Sequence, residues 1–169
     1  MPIKECEKIW MNGKLVDWGD AKIHVLTHAL HYGSGVFEGI RCYKTGKGPA
    51  VFRLRDHMQR LADSARFHYM KPPYTVKELC SATKELIKAN KLSECYIRPI
   101  MYRGYGEMGL NPLNSVTDTA IAVWPWGTYL GEDGLKNGIS TIISNIERIN
   151  ANILPPKAKA CGQIGRAHV

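Results

Sequence analysis

Two stretches of helical length constrain this chain more than anything else in it. Residues 54–68 place Leu54, Met58, Leu61 and Ala65 on one stripe, and the residues after Thr75 do the same with Val76, Leu79, Cys80, Leu86 and Ile87. Lys71-Pro72-Pro73 separates them, and Thr75-Val76-Lys77-Glu78 has the pattern of a capping box. An apolar stripe must be covered, and the segments available to cover these two are strand-like. Residues 8–11 and 14–16 flank Asn12-Gly13, a dipeptide that favours the tight type I′ turn. Residues 36–43 and 50–53 flank a turn at Gly46-Lys47-Gly48-Pro49. Residues 96–102, 119–126 and 139–144 read as three further strands, while 17–20 and 111–115 read as loops. Hairpins, then two helices, then more strands predict an α+β fold rather than a doubly wound sheet.

With 169 residues and an ordinary apolar share, the chain is long enough for one core and the start of another. No apolar run reaches transmembrane length and the first residues are charged, so a cytoplasmic protein without membrane contact is expected. The five cysteines are odd in number and far apart, which predicts reduced thiols. The net charge of +8 is scattered among acids, with no basic run, and this argues against nucleic acid as a partner. A small anionic ligand accounts for arginines equally well. His28 and His31 have no carboxylate or cysteine cluster beside them, so no metal site is expected.

Two segments offer chemistry. In Pro155-Pro156-Lys157-Ala158-Lys159-Ala160-Cys161-Gly162, Lys159 stands among small residues that let a flat group approach. A lysine that is desolvated or set near another cation loses its proton readily and attacks carbonyls as a free amine. The run from His31 to Arg41 holds Gly33, Gly35 and Gly39 between the aromatic residues Tyr32 and Phe37 and the cation Arg41. Read alone, it is a glycine-rich turn entering a strand. Glu38 and Arg41, at a strand end, are expected to pair with each other or with a neighbour for structural reasons. Trp124 and Trp126 read as packing residues.

These segments, taken with Phe52-Arg53, Asp56 to Leu61, Tyr96-Ile97-Arg98-Pro99 and Pro125 to Gly131, together resemble the bacterial branched-chain-amino-acid aminotransferases. Those are pyridoxal 5'-phosphate enzymes of fold type IV, and the motifs stand in family order over nearly the whole chain. The resemblance implies a small N-terminal α+β domain over 1–130 and the truncated start of a larger cofactor-binding domain over 131–163. It implies transamination of L-leucine, L-isoleucine and L-valine with 2-oxoglutarate, giving branched 2-oxo acids and glutamate. Amino acids and 2-oxo acids would be the small-molecule partners, and the parent enzyme would be a homo-oligomer.

Residue by residue, the resemblance makes Lys159 the catalytic amine that holds pyridoxal phosphate and moves the substrate proton. Arg60 would bind the cofactor phosphate; otherwise it is an exposed ion pair with Asp56 one turn earlier. Tyr32, Phe37, Tyr96, Arg98 and Tyr129 would line the substrate pocket, aromatic walls for the aliphatic side chain and Arg98 for a distal carboxylate. Tyr96 and Arg98, two apart on a strand, would share a face. The alternatives are another type IV enzyme, acting on D-amino acids or as an aminodeoxychorismate lyase, or a non-catalytic interaction module. After Gly162 the pattern departs from the family, with Gln163 and Ile164 in place of Asn and Tyr. Residues 164–169 match a common sequencing adapter translated in frame, which predicts a non-native tail and a fragment of low activity.

Overall fold

A computed structural model describes residues 3–127, 131–143, 145, 147 and 149–162. Tyr129, Gln163 and the 164–169 tail lie outside the described residues. The architecture is one antiparallel sheet covered on one face by two helices, in agreement with the α+β expectation.

The strands are β1 (Lys8–Met11), β2 (Lys14–Asp17), β3 (Gly35–Phe37), β4 (Ile40–Thr45), β5 (Gly48–Val51), β6 (Cys95–Arg103) and β7 (Thr117–Trp124). The helices are α1 (His28–Tyr32), α2 (Leu54–Phe67), α3 (Val76–Ala89) and α4 (Gly131–Asn137). Across the sheet the order is β2-β1-β7-β6-β4-β5, with β3 also paired to β6. Asn12 (φ 46°) and Gly13 (φ 89°) supply the left-handed turn between β1 and β2, as Asn-Gly predicts. The second hairpin is tighter than expected. Thr45 pairs with Gly48, so the turn is Gly46-Lys47 and the strand already contains Pro49. That proline is tolerated because β5 is an edge.

The core lies between α2, α3 and one face of the sheet. Met58, Leu61, Leu79, Leu86, Ile97, Met101, Ile121 and Val123 have no solvent exposure. Each large apolar side chain buried this way contributes roughly 1.5–3 kcal/mol. The capping box is formed, with Thr75 Oγ1 accepting from the Glu78 N–H and Glu78 Oε2 accepting from the Thr75 N–H at 2.7 Å. Hydrogen bonds from the Thr75 hydroxyl and N–H hold the Glu78 carboxyl below its ordinary range.

One expectation needs correction. The strand expected over 139–144 is absent from the described residues 139–143, where Ile142 and Ile143 are almost fully exposed. Its β-branched residues suit a strand, but no neighbouring strand pairs with them among the described residues. Upstream of β3 the chain forms the short helix α1, closed by Gly33 at φ 65°.

Proline placement shapes the sheet next to the candidate site. β3 and β4 keep a single register along β6, from Gly35↔Tyr102 to Cys42↔Cys95. They are interrupted only at Glu38 and Gly39. There the Glu38 N–H donates to Pro99 O at 3.0 Å, and the return bond cannot form because proline has no N–H.

Replacing the cap residue, Thr75→Ala, is expected to destabilise the chain by about 1 kcal/mol without altering the fold. Urea unfolding followed by circular dichroism measures it, and an unchanged midpoint would show that α3 does not depend on its cap.

Candidate active site

Alternation along β6 divides its side chains. Cys95, Ile97, Pro99 and Met101 face the helices, while Tyr96, Arg98 and Ile100 face the other way. Phe37 stands opposite Ile100 and shares the second face. Tyr96 and Arg98 do meet there: Arg98 Nη2 donates to Tyr96 Oη at 3.0 Å. The Arg98 guanidinium carbon lies 4.8 Å from the Phe37 ring centre and 5.1 Å from that of Tyr96. Its Nε is buried without a hydrogen-bond partner among the described residues. Trp124 and Trp126 pack on Tyr96 with tilted rings, centres 5.1 and 4.7 Å away, which agrees with their reading as packing residues.

Lys159 reaches this face from the far end of the chain. Residues 158–161 add to the free side of β3: Phe37 N–H donates to Lys159 O at 3.0 Å, and Cys161 N–H to Gly35 O at 2.8 Å. The Lys159 N–H is turned instead to Ser64 Oγ on α2, at 3.1 Å. Strand alternation then sends Ala158 and Ala160 inward, where both are buried, and leaves the Lys159 amine 4.9 Å from the Phe37 ring centre. The small residues around Lys159 thus serve packing as well as access. Burial lowers the Lys159 pKa; Glu38 opposes this, and Arg60 and Arg98 lower it further.

Arg60 does not pair with Asp56. Asp56 accepts from Arg53 Nε at 2.7 Å, and Arg60 turns to Glu38. The Glu38 side chain has no solvent exposure. Its Oε2 accepts from Arg60 Nη2 at 2.7 Å and bonds His57 Nδ1 at 2.9 Å, while Oε1 accepts from Arg60 Nε. Burial by itself would raise the Glu38 pKa, but the bonds and charges of Arg60 and His57 outweigh it, and the carboxyl sits below its ordinary range. Glu38 therefore has not paired with Arg41. Residues three apart on an extended strand point to opposite faces, and Arg41 donates to the carbonyls of Trp126 and Gly127 at 3.3 and 3.4 Å.

Arg60 and Lys159 line one cavity of about 1150 Å³, with Gln59, Asp63, Arg66 and Ala158 among its other walls. Phe37, Tyr96 and Arg98 cluster beside Lys159, outside that lining. Tyr32 is apart from both groups: its hydroxyl donates to Met108 O at 3.2 Å and its ring packs on His28. His28 and His31 are satisfied by Ser34, Gly109 and Val25. The residues that sequence reasoning missed are Ser64, His57 and the role of Glu38. His57 and Arg60 sit three apart on α2 and both turn to Glu38, a spacing that was a usable signal; nothing in the sequence marks Ser64.

A family model described as "Amino-transferase class IV" matches residues 35–169. The branched-chain-amino-acid aminotransferase of Escherichia coli (strain K12) is 48% identical over 163 residues, which are 96% of this chain and 53% of that protein. A crystal structure of the E. coli enzyme superimposes with a TM-score of 0.90 at 48% identity, over 94% of this chain and 53% of that one. The branched-chain amino acid aminotransferase from Thermobaculum terrenum, solved in its PLP form, gives a TM-score of 0.77 at 30% identity, over 92% and 50%. The chain spans about half the length of the curated relatives it matches.

Two pH effects follow. Because its pKa is lowered, Lys159 is expected to react with an acylating reagent at lower pH than exposed lysines do; competitive labelling read by peptide mass spectrometry measures this, and a profile superimposable on that of Lys4 would refute it. The lowered Glu38 pKa gives stability that is present above the unfolded carboxyl range and is lost as pH falls through the folded value. The difference in unfolding free energy between the native chain and Glu38→Gln should therefore shrink on acidification, and a constant difference would contradict the assignment.

Proposed function

The chain belongs to the class IV amino-transferase family, and from that premise we propose that it carries the reactive lysine of a branched-chain-amino-acid aminotransferase. The proposed reaction transfers the amino group of L-leucine, L-isoleucine or L-valine to 2-oxoglutarate. The proposed cofactor is pyridoxal 5'-phosphate, in a cytoplasmic protein that assembles as a homo-oligomer. The observation that carries the reading is one cavity walled by both a desolvated amine, Lys159, and a half-exposed guanidinium, Arg60.

These residues fit the cofactor. Glu38 occupies Nε and Nη2 of Arg60, and Nη1 makes no protein bond among the described residues. A phosphate needs such donors. When bound, pyridoxal phosphate supplies a carbonyl for an amine to capture and a protonated ring that accepts an electron pair. Lys159 supplies the amine, kept closer to neutral by burial and by Arg60 and Arg98. The same amine, 4.9 Å from the Phe37 ring centre, would be the base that moves the proton from the substrate Cα. Phe37 and Tyr96 offer apolar surface to a branched side chain. Arg98, with an unpartnered Nε among the described residues, offers a cation to the second carboxylate of glutamate.

Tyr32, which stands apart from this cluster within the chain, and Tyr129 remain proposed substrate-pocket residues. Tyr32 is exposed, as are Val25, Leu30, Leu110 and Leu113, and cover by a second subunit would account for that exposure.

Adding pyridoxal phosphate to the purified chain should produce the visible absorbance of an imine, lost in Lys159→Ala. The full-length protein should transaminate L-leucine and leave D-alanine unused. No lysine-dependent absorbance would overturn the cofactor assignment, and turnover of D-alanine instead of L-leucine would overturn the substrate.

A further inference from the structure

We propose that Glu38 is a positioning residue that presets Arg60 for a phosphate monoester, and that it acts through the guanidinium without touching the ligand. The inference rests on the cofactor reading above and adds to it the reason this site would prefer a phosphorylated aldehyde. An arginine on the surface of a helix has a long, freely rotating side chain, and fixing it costs rotamer freedom. Arg60 is such a residue, with its side chain 53% exposed, yet two of its three nitrogens are bound by one carboxylate. That carboxylate is wholly buried, on the helix-facing side of the β3–β4 line, at the point where Pro99 breaks the ladder. His57, one turn before Arg60, closes on Oε2 from the same helix.

Burying a carboxylate costs several kcal/mol, and pairing it commonly does no better than an apolar residue of the same size. Core stability alone is therefore a poor reason for Glu38. What Glu38 does is hold two nitrogens of the Arg60 fork, leaving Nη1 without a protein bond among the described residues, on a side chain that lines the same cavity as Lys159. A ligand joining both groups must present an electrophilic carbon to the amine and an anion to the guanidinium. Because the fork is fixed beforehand, the anion binds without the entropy cost of ordering it.

The test compares two probes on the chain, pyridoxal phosphate and unphosphorylated pyridoxal, each titrated to the imine absorbance. The native chain should capture pyridoxal phosphate at lower concentration than pyridoxal, and inorganic phosphate should compete with the first only. In Glu38→Gln the ratio of the two affinities should fall about tenfold, the worth of one charge-assisted hydrogen bond, beyond any equal change that the loss of the Glu38 charge makes to both probes through Lys159. A merely structural role would weaken both probes together. Glu38→Asp keeps the charge but is too short to hold both Arg60 nitrogens and His57, so it should lose the preference too, and it serves if the glutamine variant does not fold. An undiminished preference in the folded variants overturns the role of Glu38 and leaves the cofactor reading standing. Absence of lysine-dependent capture in the native chain overturns the cofactor reading itself, and the proposal with it.

Discussion

A carboxylate shut away from water must be matched by cations or the fold fails, and in this chain the match joins the sheet to α2. Glu38 lies between two short strands, and its bonds to His57 and Arg60 tie that point to one side of the helix. The same helix gives Ser64, which takes the Lys159 N–H that a regular ladder would have bound to β3. One helix thus sets the placement of the guanidinium, the carboxylate's charge and the backbone of Lys159. The stripe of Leu54, Met58, Leu61 and Ala65 fixes how that helix sits on the sheet. Packing and chemistry are therefore not separable here: a shift of α2 would move every polar partner together.

Much of this was legible from residues alone. The two stripes located α2 to within a residue and the start of α3, Asn12-Gly13 gave the first hairpin, and the Thr75 box formed as its pattern demands. Tyr96 and Arg98 were read on one face because strand alternation allows nothing else. What could not be read was pairing across the chain. Arg60 had Asp56 one turn away in sequence, yet its partner comes from a strand end 22 positions earlier. Ile139 to Ile143 have the composition of a strand, but a strand also needs a neighbour, and composition does not report one. The family resemblance gave Lys159 and Arg60 together; their shared cavity emerges only when residues 158–161 are laid beside β3.

The face carrying Phe37, Tyr96 and Arg98 is built from few parts. Each of these side chains packs on another, and the arginine is the common neighbour. A cation lying on aromatic rings keeps its charge while presenting apolar walls around it. That combination is what a pocket needs if it is to hold aliphatic chains at one time and a carboxylate at another.

The manner in which Lys159 joins the sheet also bears on the order of folding. Its anchors are few: a bond to the backbone of β3, a neighbouring one from Cys161, and the serine 95 positions earlier on α2. Contacts that close loops of this length form slowly, because chain entropy is lost before the contact offsets it. The strand that receives the lysine exists only once β3 has found β6. On a ribosome, the amine would emerge after every element that holds it, and the half-made protein would carry no assembled electrophile trap.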